Sequence, residues 1–258
     1  MEEKTKKTKT GNLAPWTVRT IGVTGTGPGA GATFLASGLA WYFSHLRRRR
    51  VCLTQLGDPV AWRSRPLLFD QLAMDKRFGN KGFGDVYREA LQEGRPLTCA
   101  NWEDGINWQL MTPFATGRET GIPVPVDETF LRRLVMAARG DLCIFDIAGE
   151  DRWNPILADL DLVLAVCDPL PARLIGEQVR IRRLTELEAG GLELRFVVNR
   201  MNPGVNRRQL RRFFRRPLME LEAFSPDLLY TMAYHCQPPW RAETVADALT
   251  GLFTKLSQ

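Results

Sequence analysis

The tightest constraint on this chain is the turn Gly25-Thr26-Gly27-Pro28-Gly29-Ala30-Gly31-Ala32-Thr33, set between a β-rich run at residues 18–24 and an apolar helical stretch at 33–46. A strand that ends in glycines and restarts at once as a helix leaves backbone N–H groups able to close around an anion. The helix N-terminus adds the positive end of its dipole. Two phosphate-binding patterns compete for these residues. In G-x-x-x-x-G-K-[ST], Gly31 and Thr33 align, but Thr26 stands at the first glycine and Ala32 at the lysine. In G-x-G-x-x-G/A, Gly25, Gly27 and Ala30 fit, and so do Gly27, Gly29 and Ala32. A plain tight turn that binds nothing is the third reading.

The rest of the chain alternates in the same way. Strands are expected at 18–24, 51–56, 106–111, 142–146, 160–167, 194–199 and 218–224, and helices at 33–46, 85–93, 127–139, 172–188, 226–234 and 242–256. This pattern predicts one doubly wound α/β domain over residues 16–258, its sheet predominantly parallel with helices on both faces, after a disordered arm at 1–15. A ligand then belongs at the carboxyl ends of the central strands. No apolar run reaches the roughly 18 residues of a membrane span, and the arm has no apolar core for a secretory signal. Cys52, Cys99, Cys143, Cys167 and Cys236 are scattered, and His45 and His235 complete no metal spacing. The cytoplasm is the expected compartment.

A dinucleotide site wants an acid at the tip of the second strand, where this chain has Gln55, with Asp58 set beyond. The order of the later segments instead resembles the MinD/ParA-like ATPases, a bacterial family with a deviant Walker A loop, K-G-G-x-G-K-[ST]. The aligned residues here are Gly27-Pro28-Gly29-Ala30-Gly31-Ala32-Thr33. Residues 50–59 (RVCLTQLGDP) resemble the family's second strand, with Gln55 at its catalytic aspartate. Residues 83–94 are similar to the helix that follows, and 141–149 (DLCIFDIAG) to the Walker B strand, which points to Asp146. Residues 196–202 (FVVNRMN) resemble the strand ending in Asn-Arg, so Asn199 is implied to read adenine, with Arg200 beside it. Residues 222–227 (EAFSPD) resemble the late segment bordering the base, which brings in Pro226 and Asp227.

The resemblance implies ATP or ADP with Mg²⁺ held by Thr33 and Asp146, Asp146 as a catalytic residue, and a homodimer with a nucleotide between its halves. The substitutions cut against that chemistry. Both family lysines are gone, replaced by Gly27 and Ala32, and Pro28 removes a backbone donor. Each charge-assisted hydrogen bond contributes about 1.5–3 kcal/mol, so losing two weakens triphosphate binding by on the order of 10²- to 10⁴-fold. The residues that remain are equally compatible with no nucleotide at all. They imply a degenerate P-loop protein, at most a weak ATPase, that acts through protein partners. An active ATPase with arginine in place of lysine stays open, because no lysine lies between Lys9 and Lys76; Arg63, Arg65 and Arg152 are its candidates. A dinucleotide-binding oxidoreductase and a DNA-binding partition factor also stay open. For the last, residues 206–216 (NRRQLRRFFRR) predict an amphipathic helix in which Arg207, Arg208, Arg211, Arg212, Arg215 and Arg216 offer DNA or an acidic surface a contact.

Overall fold

The structure, a computed structural model, describes residues 17–57, 67–74, 79, 81–97, 104–111 and 126–256. The N-terminal arm, Asp58, Arg63, Arg65, Lys76 and Cys99 lie outside them. Among the described residues are eight strands: β1 (Thr20–Gly25), β2 (Val51–Leu56), β3 (Gly84–Asp85), β4 (Ile106–Leu110), β5 (Leu142–Ile147), β6 (Leu162–Cys167), β7 (Leu194–Met201) and β8 (Met219–Glu222). They form one sheet in the order β3-β4-β2-β5-β1-β6-β7-β8, every pairing parallel. Parallel sheets are covered on both faces, and β2, β5 and β6 are accordingly buried at every position. The sheet is the doubly wound, parallel one the alternation predicts.

The helices are α1 (Ala32–Trp41), α2 (Leu67–Gln71), α3 (Glu128–Ala137), α4 (Asn154–Ala158), α5 (Pro171–Gly176), α6 (Gln178–Ala189), α7 (Arg207–Phe214), α8 (Pro226–Tyr234) and α9 (Glu243–Leu256). On one face of the sheet α1 and α9 pack Leu35, Leu39, Val245, Leu249 and Phe253 against β1 and its neighbours, and Trp108 stacks on Trp240 at 6.3 Å. On the other, Leu131, Trp153, Ile156, Leu184, Leu210 and Phe214 from α3 to α7 close a second core. β1 lies between β5 and β6, so Gly25 and the ends of β2, β5, β6 and β7 converge at one edge.

Several elements depart from the sequence reading. The helix expected over 172–188 is two, because Gly176 is a weak helix former and Glu177, at φ −95° and ψ 3°, leaves helical geometry. The helix after β1 finishes as a wider π turn over Tyr42–Leu46, and Val86–Gln92 is wound the same way behind an Asp85 cap. The short elements β3, α2 and α4 carry too few residues for a periodicity to show. The expected helix at 206–216 forms as α7, capped by Asn206 through Gln209 N at 3.1 Å. No helix of the described residues is long and apolar enough to cross a membrane.

Burial also separates the thiols. Cys52, Cys143 and Cys167 are buried, and desolvation pushes the Cys143 thiol up to about 11 and the Cys167 thiol to about 12. Cys236 is half-buried after α8. Brief alkylation of the native protein at pH 8, read by peptide mass spectrometry, is expected to modify Cys236 and spare Cys143 and Cys167 until denaturant is added.

Candidate functional site

The glycine-rich turn lies at the mouth of a cleft of about 1860 Å³ that runs over the carboxyl ends of the central strands toward α7 and α8. Two of its glycines are dictated by geometry. Gly31 caps α1 at φ 102°, a left-handed backbone that side chains rarely adopt, and a Cβ there falls 2.3 Å from Asn199 Nδ2. A Cβ on Gly27 falls 1.9 Å from Glu177 Oε1. The chain leaves β1 through a bond from Thr26 N to the Val166 carbonyl at 2.9 Å, which ties the turn to β6.

Below the turn, Thr33 Oγ1 donates to Asp146 Oδ2 at 2.7 Å and Gln55 Nε2 donates to the same oxygen at 3.3 Å. The sheet register places Gln55 directly beside Asp146. Asp146 is buried, and desolvation pushes its carboxyl up to about 6, with the Thr33 and Gln55 hydrogen bonds offsetting part of the rise. A second carboxylate at Gln55 would meet the first at close range in the same dry site; the amide donates instead. Gln55 Oε1 is buried with no hydrogen-bond partner among the described residues.

Above the turn stand residues from distant segments. The Pro28 carbonyl accepts from Arg173 Nη1 at 2.6 Å and the Gly29 carbonyl from Arg200 Nη2 at 2.9 Å. Asp168, buried at the end of β6, accepts from Arg200 Nη1 at 2.6 Å and lies 3.8 Å from Arg173 Nε. Arg200 reaches the turn because β7 is irregular there: its register slips between Val198 and Met201, and Arg200 takes a positive φ of 61°. Asn199 donates from Nδ2 to the Ala30 carbonyl at 2.9 Å and accepts from Arg200 N at 2.9 Å.

The structure thus brings Gly27, Gly29, Ala30, Gly31, Ala32, Thr33, Asp146, Asn199, Arg200 and Pro226 to one cleft; Asp227, exposed on α8, does not line it. Arg152 pairs with Glu150 at 2.6 Å and lies over the Trp153 ring at 4.3 Å, away from the cleft lining. Of the described lysines, Lys81 pairs with Asp104 and Lys255 sits in the last turn of α9. Sequence reasoning missed Asp168, Arg173 and Glu177. The available signal was the buried strand ending Cys167-Asp168-Pro169 at the same sheet edge, with Arg173 one turn into the next helix.

The residues fit a nucleotide phosphate with Mg²⁺ at the turn itself, whose glycines admit close backbone approach, and at the hydroxyl–carboxylate pair Thr33–Asp146. Glu177, pressed against Gly27, opposes an anion there.

A glycine-rich strand-to-helix turn at the centre of an all-parallel, doubly wound sheet defines a P-loop-type α/β protein. Comparison with solved structures narrows the fold to the MinD/ParA type. A ParA family ATPase from Chlorobium tepidum superposes with a TM-score of 0.66 at 14% identity, over 93% of this chain and 97% of that one. The MinC:MinD cell division complex of Aquifex aeolicus gives 0.66 at 15% identity over 92% and 95%. A plasmid partition protein of Borrelia burgdorferi bound to AMPPNP gives 0.63 at 15% over 93% and 99%. At such identity the likeness is one of fold. No protein-family model matches the sequence, and no curated protein is significantly similar to it.

Proposed function

We propose that this chain is a degenerate P-loop protein that holds ATP or ADP with Mg²⁺ weakly, hydrolyses it poorly if at all, and serves through its MinD/ParA-like scaffold to position or regulate protein partners in the cytoplasm. The observation that carries this reading is the loop's own chemistry. The Thr33–Asp146 pair is kept, while among the described residues the guanidiniums on the loop are Arg173 and Arg200, both engaged by its carbonyls. Phosphoryl transfer depends on positioned charge at the phosphates, so a loop without lysine retains the grip better than the catalysis. Gln55, a neutral amide, cannot orient water as an aspartate does. In this reading the loop backbone from Gly27 to Thr33 holds phosphates, Thr33 and Asp146 hold the metal, and Asn199, Arg200 and Pro226 line the base end, with Asp227 beyond. Two of the structural relatives support the class of ligand and of assembly: one is bound to AMPPNP, and one is a complex with a protein partner. A homodimer across the loops would lack the family's cross-dimer lysine.

Calorimetric titration with ATP, ADP and NADH, with and without Mg²⁺, tests it. Weak ATP and ADP binding that needs Mg²⁺, no NADH binding, and ATP turnover at background are the expected results. Turnover that Asp146→Ala abolishes would establish the arginine-for-lysine ATPase instead, and NADH binding without ATP would establish the oxidoreductase.

A second reading, attachment to DNA or to an acidic protein, is favoured by α7. Arg208, Arg211, Arg212 and Arg215 are exposed and have no ion pair among the described residues, whereas Arg207 pairs with Glu220 and Arg216 with Glu188.

A further inference from the structure

Glu177 stands at the break between α5 and α6 with its carboxylate turned onto the phosphate loop. Its Oε2 accepts from Thr26 Oγ1, and its Oε1 occupies the space where a side chain on Gly27 would begin, 1.9 Å from that Cβ position. Gly27 and Glu177 are therefore a matched pair: only glycine leaves room for the carboxylate. One turn earlier on the same helix, Arg173 donates to the Pro28 carbonyl at 2.6 Å, with its side chain 42% exposed. Asp168 lies between Arg173 and Arg200. Two guanidiniums and two carboxylates thus surround the upper face of the loop, and their formal charges cancel. Removing the Glu177 charge alone leaves that face with one net positive charge.

We infer that Glu177 is a tethered anion that competes with phosphate for this loop, and that Arg173 is the cation the phosphate gains once Glu177 is displaced or neutralised. The inference rests on the nucleotide reading above and makes it specific: the loop discriminates against di- and triphosphates through one side chain. A phosphate approaching the backbone at Gly27 meets a carboxylate in partly buried surroundings, where like charges are poorly screened. The same carboxylate, by holding Thr26, keeps the loop shaped around itself.

The test is titration of the full chain with Mg²⁺–ATP and Mg²⁺–ADP by calorimetry in three variants. Glu177→Gln keeps a hydrogen bond to Thr26 without the charge, and Glu177→Ala removes both. Each is expected to tighten Kd about tenfold or more over the wild type. Adding Arg173→Ala to Glu177→Gln is expected to reverse that gain by a similar factor, while thermal unfolding of each variant verifies that it is folded. Wild-type binding that the Glu177 variants leave unchanged or weaken overturns the inference and leaves the nucleotide reading standing. Binding by none of the folded variants overturns both.

Discussion

Asp146→Asn is expected to make the protein more stable than the wild type at pH 8, by about 2–3 kcal/mol, and no more stable than it at pH 4. The carboxylate is buried, its Oδ2 accepts from a hydroxyl and an amide, and among the described residues none of its hydrogen bonds comes from a cation. Burial therefore raises its carboxyl to about 6 from an ordinary 3.8. The sign follows from proton uptake. Between those two values the folded chain holds a proton that the unfolded chain has released, so stability from this group is full below about 4. It is lost as pH rises through about 6. Asparagine keeps an acceptor for Thr33 and Gln55 and carries no charge to desolvate. Urea unfolding of both proteins at pH 4, 6 and 8, without Mg²⁺ or nucleotide, reads the difference directly, since other titrating groups cancel. Equal stability at pH 8 would mean that the carboxylate is solvated or paired. A site that costs stability at neutral pH is the kind retained for binding, and Mg²⁺ is expected to stabilise the wild type but not the asparagine variant.

How much of this site could be read from the chain depends on whether a residue's role is local. The turn from Gly25 to Thr33 was legible because glycine, strand and helix signals coincide within a dozen residues. Asp146 was legible through the resemblance of residues 141–149 to a Walker B strand. Arg173 and Glu177 were not: they act on loop residues 145 and 151 positions earlier, and nothing in a helix predicts which far segment it will face. The long helix expected over 172–188 hid the break as well, because Leu174, Ile181 and Leu184 keep an apolar stripe across Gly176. Of the arginines offered as a replacement cation, Arg63 and Arg65 lie outside the described residues and Arg152 is turned to Glu150 and Trp153. Arg173 and Arg200 follow β6 and β7, and the order of strands, invisible to periodicity, brings them to the loop. The bulge that aims Arg200 is likewise a property of β7 against β8.

α7 allows its two faces to be separated by mutation. Phe214 is buried, its ring 5.0 Å from that of Phe196 on β7, and Leu210 is buried one turn before it. Truncating such an aromatic side chain removes its transfer energy and leaves a hole, so Phe214→Ala is expected to cost about 3–5 kcal/mol in urea unfolding. The opposite face should behave otherwise. Replacing Arg208, Arg211, Arg212 and Arg215 together with glutamine preserves helix propensity and breaks no ion pair among the described residues, so stability is expected to hold within about 1 kcal/mol. If that face binds DNA, each arginine on a phosphate releases counterions. The fourfold variant should then elute from duplex DNA at lower salt, with the slope of log K against log salt reduced by about 3–4. Wild-type retention with an unchanged slope would remove DNA as the partner. A lost contact with an acidic protein and unaltered DNA retention would leave α7 as a protein-docking face. In each case the helix is held to the sheet by its aromatic side, while Arg208, Arg211, Arg212 and Arg215 stand exposed with no ion pair among the described residues.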